Sequence, residues 1–222
     1  MIILCFHMKK QISIPKTHKY SQLGEFSEKT NTVWIVLHGY GMLSEFFIKK
    51  FECILNDSTV VIAPEGSNRF YLENNYYRVG ASWMTKLDKE KDIEDNISFI
   101  QTLYSKIVDD IGHTNFKLNT LGFSQGGATL VRWIMSNSIN IDSLILWGSD
   151  IPKDCLKEEK KSRWNSIDIK LVIGNQDEYI NEDNKQKVID LISSYGLKYE
   201  LVAYEGSHKI IEKELEKIAA GL

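Results

Sequence analysis

Short apolar runs recur along this 222-residue chain, and several of them end at a polar turn marked by glycine. VWIVL (33–37), VVIA (60–63), LILW (144–147) and LVI (171–173) carry no polar alternation, and KLNTLGF (117–123) is a weaker member of the set. A strand with one wet face alternates apolar and polar residues, whereas a strand covered on both faces does not. Between the runs lie helical patterns. Ile93, Ile97, Ile100, Leu103, Tyr104, Ile107 and Val108 follow one helix face, and residues 126–137, 183–195 and 208–220 read as further helices. Strands alternating with helices predict an α/β fold: a mostly parallel sheet with helices on its faces, in one domain spanning 1–222. Residues 1–10 are expected to form a peripheral strand or an extension.

Composition narrows the field of functions. Hydrophobic residues make up 43% of the chain and charged residues 26%, as in an ordinary globular protein. A formal net charge of −3 argues against a nucleic-acid binder, which normally carries a strongly basic surface. Cys5, Cys53 and Cys155 are odd in number and widely spaced, so neither a disulfide framework nor a zinc site is indicated. The opening MIILCFHM is short, and its basic residues follow the apolar stretch instead of preceding it, which is not the order of a secretory signal. No run approaches the roughly 20 apolar residues of a membrane span. A cytoplasmic protein without stable membrane insertion is expected, and the sequence leaves open whether it forms a homodimer.

In parallel α/β sheets, ligands bind beyond the carboxyl ends of the strands. Those positions hold His38-Gly39-Tyr40-Gly41, Pro64-Glu65-Gly66, Ser124, Gly174-Asn175-Gln176-Asp177 and Glu205-Gly206-Ser207-His208. Gly122-Phe123-Ser124-Gln125-Gly126 fits G-x-S-x-G, a strand-to-helix turn that presents a serine on a strained backbone between small neighbours. Gly122 and Gly126 are expected to clear space around Ser124, and Gly127 to bring the following helix close to the sheet. A serine hydroxyl is a poor nucleophile and needs a base oriented by a third group. His208 is the candidate base, because His7, His18 and His113 lie away from the functional edge and His38 suits a structural hydrogen bond. Asp177 is the candidate acid; Glu178 is adjacent but expected to point elsewhere, and Asp150, Asp154 and Asp183 are weaker alternatives. Ser124, Asp177 and His208 follow the Ser…Asp…His chain order of α/β-hydrolases. The backbone N–H groups of Gln125 and Tyr40 are the expected oxyanion donors, with Tyr40 preferred over Gly41.

The chain resembles the phospholipase/carboxylesterase family of α/β-hydrolases. The resemblance rests on VLHGYG (36–41), APEG (63–66), SWM (82–84), LGFSQGG (121–127), GNQDEYI (174–180) and YEGSH (204–208), in family order. It implies a serine nucleophile at Ser124, an acid at Asp177, a base at His208 and oxyanion amides at Tyr40 and Gln125. Two departures fall near the expected substrate pocket. Tyr40-Gly41-Met42-Leu43 stands where the family has a small or aliphatic residue and then Asp, and Trp83-Met84-Thr85 stands for Trp-Phe-Asp.

The stretch 66–87 reads as irregular and aromatic-rich, and by resemblance Trp83 is expected at the pocket. Phe46 and Phe47 either close its other side or pack into a helix core. The reading is a serine hydrolase of carboxylic esters working through an acyl-enzyme, with a small-molecule ester or thioester substrate and no metal or organic cofactor. Acyl-protein thioesterase or lysophospholipase action on long chains is the alternative, and a non-catalytic binding module a remote one. There is no room between elements for a large lid.

Overall fold

Every apolar run becomes a strand of one sheet. The computed structural model describes residues 8, 10–73, 76–180 and 182–222. The strands are β1 (Tyr20–Leu23), β2 (Thr32–Leu37), β3 (Thr59–Pro64), β4 (Asn68–Tyr71), β5 (Val79–Ser82), β6 (Lys117–Phe123), β7 (Ser143–Trp147), β8 (Asp168–Gly174) and β9 (Glu200–Tyr204). The helices are α1 (Ser44–Phe47, continued by a 3₁₀ turn over Ile48–Ile54), α2 (Lys89–Ile111), α3 (Gln125–Ser136), α4 (Lys161–Trp164), α5 (Glu182–Ser194) and α6 (Glu212–Ala220). Seven strands form the main sheet in the order β1-β3-β2-β6-β7-β8-β9, all neighbours parallel except the edge pair β1–β3.

Continuous apolar runs follow from burial on both faces. Along β2, Val33, Ile35 and Leu37 face a core shared with α2, α3 and α5, while Trp34 and Val36 face a second core with α1, its 3₁₀ extension and α6. The long helix α2 buries Ile100, Leu103, Ile107 and Ile111 at helical spacing. It stops at Gly112, whose φ of +79° provides the left-handed cap that a residue with a side chain adopts only at a cost.

Three elements depart from the sequence reading. The edge strand β1 was not anticipated, because its YSQL sequence has no apolar run; it is held by antiparallel pairing to β3. The stretch 66–87, read as irregular, contains the antiparallel hairpin β4–β5 with Asn68 opposite Ser82 and Tyr71 opposite Val79. The last helix begins at Glu212 instead of 208, leaving His208 in a turn. Of residues 1–10, expected as a peripheral strand or an extension, residues 1–7 and 9 lie outside the described residues. Among the described residues, no helix is long and apolar enough to cross a membrane.

The parallel register aligns the strand ends. Leu37 lies opposite Gly122, Phe123 opposite Trp147, and Gly174 opposite Tyr204. The ladder runs on by one bond past each strand: the N–H groups of Ser124, Gly148 and Asn175 donate to the carbonyls of Trp147, Val172 and Tyr204. The residues after β2, β6, β7, β8 and β9 therefore emerge along one edge.

Candidate active site

At the end of β6 the backbone turns on Ser124, with φ 52° and ψ −122°, a conformation that residues with a side chain rarely hold. Glycine makes this turn feasible, though the clearances fall differently from expectation. A Cβ on Gly122 would run into the Gly127 backbone, and one on Gly126 into the carbonyls of Leu37 and His38. One on Gly127 would strike Ser149. These glycines thus relieve contacts between the turn and its neighbours more than contacts with Ser124 itself. Gly39 is the glycine that borders the serine: a Cβ there would lie 3.3 Å from the Ser124 Cβ and 2.9 Å from the Phe123 ring.

Beyond β8, Asp177 folds back on its own turn. Its Oδ1 accepts the N–H groups of Tyr179 and Ile180, both at 2.9 Å, and its Oδ2 lies 2.7 Å from His208 Nδ1. The Asp177 side chain is fully buried and that of His208 nearly so. Burying a carboxylate is costly unless its oxygens are satisfied, and here each one is. The His208 ring lies between two aromatic rings, with centroid distances of 4.8 Å to Phe123 and 4.8 Å to Tyr179. Phe123 immediately precedes Ser124, so the Asp177–His208 pair packs against the residue before the serine.

The turn after β2 forms the other wall. His38 is fully buried; its Nδ1 donates to the Gly39 carbonyl at 2.7 Å and its Nε2 accepts the Gly66 N–H at 2.9 Å. Burial lowers its pKa, and the two bonds specify a neutral imidazole, the structural role expected of it. The Gly41 N–H donates to the Ala81 carbonyl at 2.8 Å and the Ala81 N–H to the Met42 carbonyl at 3.1 Å, so the β4–β5 hairpin is bonded to the turn carrying Tyr40. The Tyr40 ring is 59% exposed and packs on Phe70 at 4.9 Å.

Two pocket expectations resolve differently. Trp83 is corrected from pocket lining to core: its ring has no accessible surface, packs on His38 at 5.0 Å and donates its indole N–H to the His38 carbonyl at 2.8 Å. Of the phenylalanine pair, Phe47 enters the core and Phe46 is left 61% exposed beside Lys49. Gln125 does more than the sequence suggested. Its side chain accepts from the Trp83 N–H at 3.0 Å and the Ser82 hydroxyl at 3.2 Å, and donates to the Met84 carbonyl at 2.8 Å, pinning 82–84 to the start of α3.

The rival acids are placed elsewhere or engaged otherwise. Asp154 forms a two-point ion pair with buried Arg132, at 2.8 and 2.9 Å, whose guanidinium holds its carboxyl below the usual range. Asp150 and Asp183 are exposed. Glu178 does not bind the imidazole; its Oε2 accepts the main-chain N–H of His208 at 3.3 Å. Cys155 is buried, and desolvation pushes its thiol up to about 11, so it is no competing nucleophile.

A mostly parallel sheet flanked by helices, with a serine at a strand-to-helix turn and an Asp–His pair at neighbouring strand ends, is the architecture of an α/β-hydrolase. The family model described as Phospholipase/Carboxylesterase matches residues 18–222, and the chain belongs to that family. Solved structures with this fold include acyl-protein thioesterase 2 of Zea mays, with a TM-score of 0.73 at 14% identity over 92% of this chain and 97% of that one. A carboxylesterase from Mesorhizobium loti gives 0.69 at 16% identity over 92% and 95%, and the Bacillus cereus carboxylesterase 0.65 at 11% over 92% of each. A sequence search of curated proteins found no match. Family and fold together make this chain a hydrolase of the esterase type.

Proposed function

We propose that the protein is a serine esterase that cleaves carboxylic esters through an acyl-enzyme at Ser124. The observation that carries this reading is the 2.7 Å Asp177–His208 bond, whose imidazole packs on Phe123 next to the strained Ser124. Asp177, acting only as an acceptor, draws the imidazole proton to Nδ1 and leaves the Nε2 lone pair to take the Ser124 proton. The serine oxygen then attacks the ester carbonyl. His208, now protonated, gives its proton to the departing alcohol, and Asp177 stabilises the charged ring in the interval. Water repeats the sequence on the acyl-enzyme and frees the acid.

The carbonyl oxygen becomes an oxyanion that needs fixed donors. The Gln125 N–H lies in the first turn of α3, where amides have no acceptor within the helix and the helix dipole favours negative charge. The second donor is the Tyr40 N–H; the Gly41 N–H is already given to Ala81. Both are main-chain groups on elements tied together through the Gln125 side chain and the β4–β5 hairpin, so they need little reorganisation as charge develops.

Tyr40 and Tyr179 are 59% and 69% exposed beside this site. These exposed rings favour, as a second reading, long acyl chains, and the acyl-protein thioesterase of similar fold extends that reading to thioesters.

The test is labelling with a fluorophosphonate followed by mapping of the adduct. Wild type is expected to carry it on Ser124, and Ser124→Ala to lose both label and esterase activity. A folded wild-type protein unlabelled at Ser124 overturns the proposal. Rates on p-nitrophenyl esters of increasing length, compared with a palmitoyl thioester, separate the two readings: a maximum at acetate or butyrate excludes the long-chain one.

A further inference from the structure

The loop carrying the acid grips His208 at three points, of which the Asp177 bond is one. Glu178 accepts the His208 main-chain N–H, and the Tyr179 ring packs on the imidazole. The flanking carbonyls of the same turn are held from the sheet side. The Tyr204 hydroxyl lies 2.8 Å from the Ser207 carbonyl and 2.7 Å from that of Lys209, and the Trp147 indole donates to the Lys209 carbonyl at 3.0 Å. These bonds anchor the neighbours of His208 to buried Trp147 and Tyr204, but they leave the amide of His208 itself to Glu178. The turn belongs to no helix or strand, so regular pairing does not replace that bond.

We propose that Glu178 is a positioning residue: its carboxylate fixes the His208 peptide from the outer side and so sets where Nε2 stands relative to the Ser124 hydroxyl. The proposal rests on the serine-esterase reading. Proton transfer between a base and a hydroxyl requires about 2.6–3.2 Å between heavy atoms, and a displacement of roughly 1 Å can cost a factor of about 100 in rate. Asp177 constrains one ring nitrogen, and Phe123 and Tyr179 flank the ring. The amide bond holds the main chain on the far side of Cβ, which those contacts do not touch. Glu178 is exposed, so its loss does not open the core.

The experiment compares Glu178→Ala and Glu178→Gln with wild type on p-nitrophenyl butyrate and ethyl butyrate, with active sites counted by fluorophosphonate titration. Gln keeps an acceptor oxygen and is expected within about threefold of wild type, whereas Ala is expected to lose about tenfold in kcat with KM changed less than twofold. The loss in Ala should be larger on ethyl butyrate, because an alkoxide leaves only when His208 protonates it and nitrophenolate leaves unaided. Wild-type kcat in Glu178→Ala overturns the inference. So does an equal loss on both esters matched by a loss of titratable serine, which would mean that Glu178 only supports the fold. A wild-type protein that neither labels at Ser124 nor hydrolyses these esters defeats the esterase reading itself; an active wild type beside an unaffected Ala variant defeats only the role of Glu178.

Discussion

Gly148 follows Trp147 with a φ of +56°, and a Cβ there would lie 2.7–2.8 Å from Cε1 and Nδ1 of the His208 ring. Both the backbone and the space demand glycine. Gly148→Ala is expected to push the imidazole off its Asp177 contact and lower kcat at least tenfold, while far-UV circular dichroism stays native; unchanged kcat would mean that the ring tolerates the methyl. His38 makes a prediction in pH. Its folded pKa is lowered below the ordinary 6.5, so the unfolded chain takes up a proton as pH falls through that value while the folded chain resists it. Stability from this group is therefore complete above pH 6.5 and declines below it, by at most about 1.4 kcal/mol per pH unit for the one proton. Urea denaturation at pH 7.5 and 5.5 measures the slope, and His38→Gln should flatten it by that one proton whatever its own stability.

Between elements, the Gln125 side chain joins the start of α3 to residues 82–84. Gln125→Ala keeps the main-chain amide but strands the Trp83 N–H, while the Met84 carbonyl keeps the Ser82 hydroxyl at 2.8 Å. The expected cost is about 1–3 kcal/mol, or a melting temperature lower by roughly 2–10 °C, read by thermal denaturation. This tie was illegible in the sequence, as was the β4–β5 hairpin. The Gln125 tie to Trp83 and the docking of the hairpin through Ala81 on Met42 each join residues about 40 apart, and no local periodicity records such contacts. The hairpin's own strands are near in sequence but carry no apolar run. The turn at Ser124 was legible for the opposite reason: its strain is local and leaves glycines behind it. Asp177 and His208 were legible because parallel strands deliver their next residues to one edge. Trp83 was misplaced because an aromatic residue in a loop looks the same whether it covers a pocket or fills the space beneath it.

On the scale of the molecule, the two cores on opposite faces of one sheet should fail together. Trp83, Trp133 and Trp164 report on one core, and Trp34 and Trp147 on the other. Tryptophan fluorescence and far-UV circular dichroism are expected to give one coincident unfolding transition, and separated midpoints would reveal two cooperative units. The same sheet absorbs the cost of Ser124, whose backbone conformation is of a kind worth about 1–3 kcal/mol in a residue with a side chain. Glycine at that position relaxes the turn, so Ser124→Gly should gain about 1 kcal/mol of stability on chemical denaturation. A library of this gene screened for heat survival alone would then enrich variants that have discarded the hydroxyl. Laboratory evolution of the protein has to score turnover in every round, because endurance by itself selects for an inert fold.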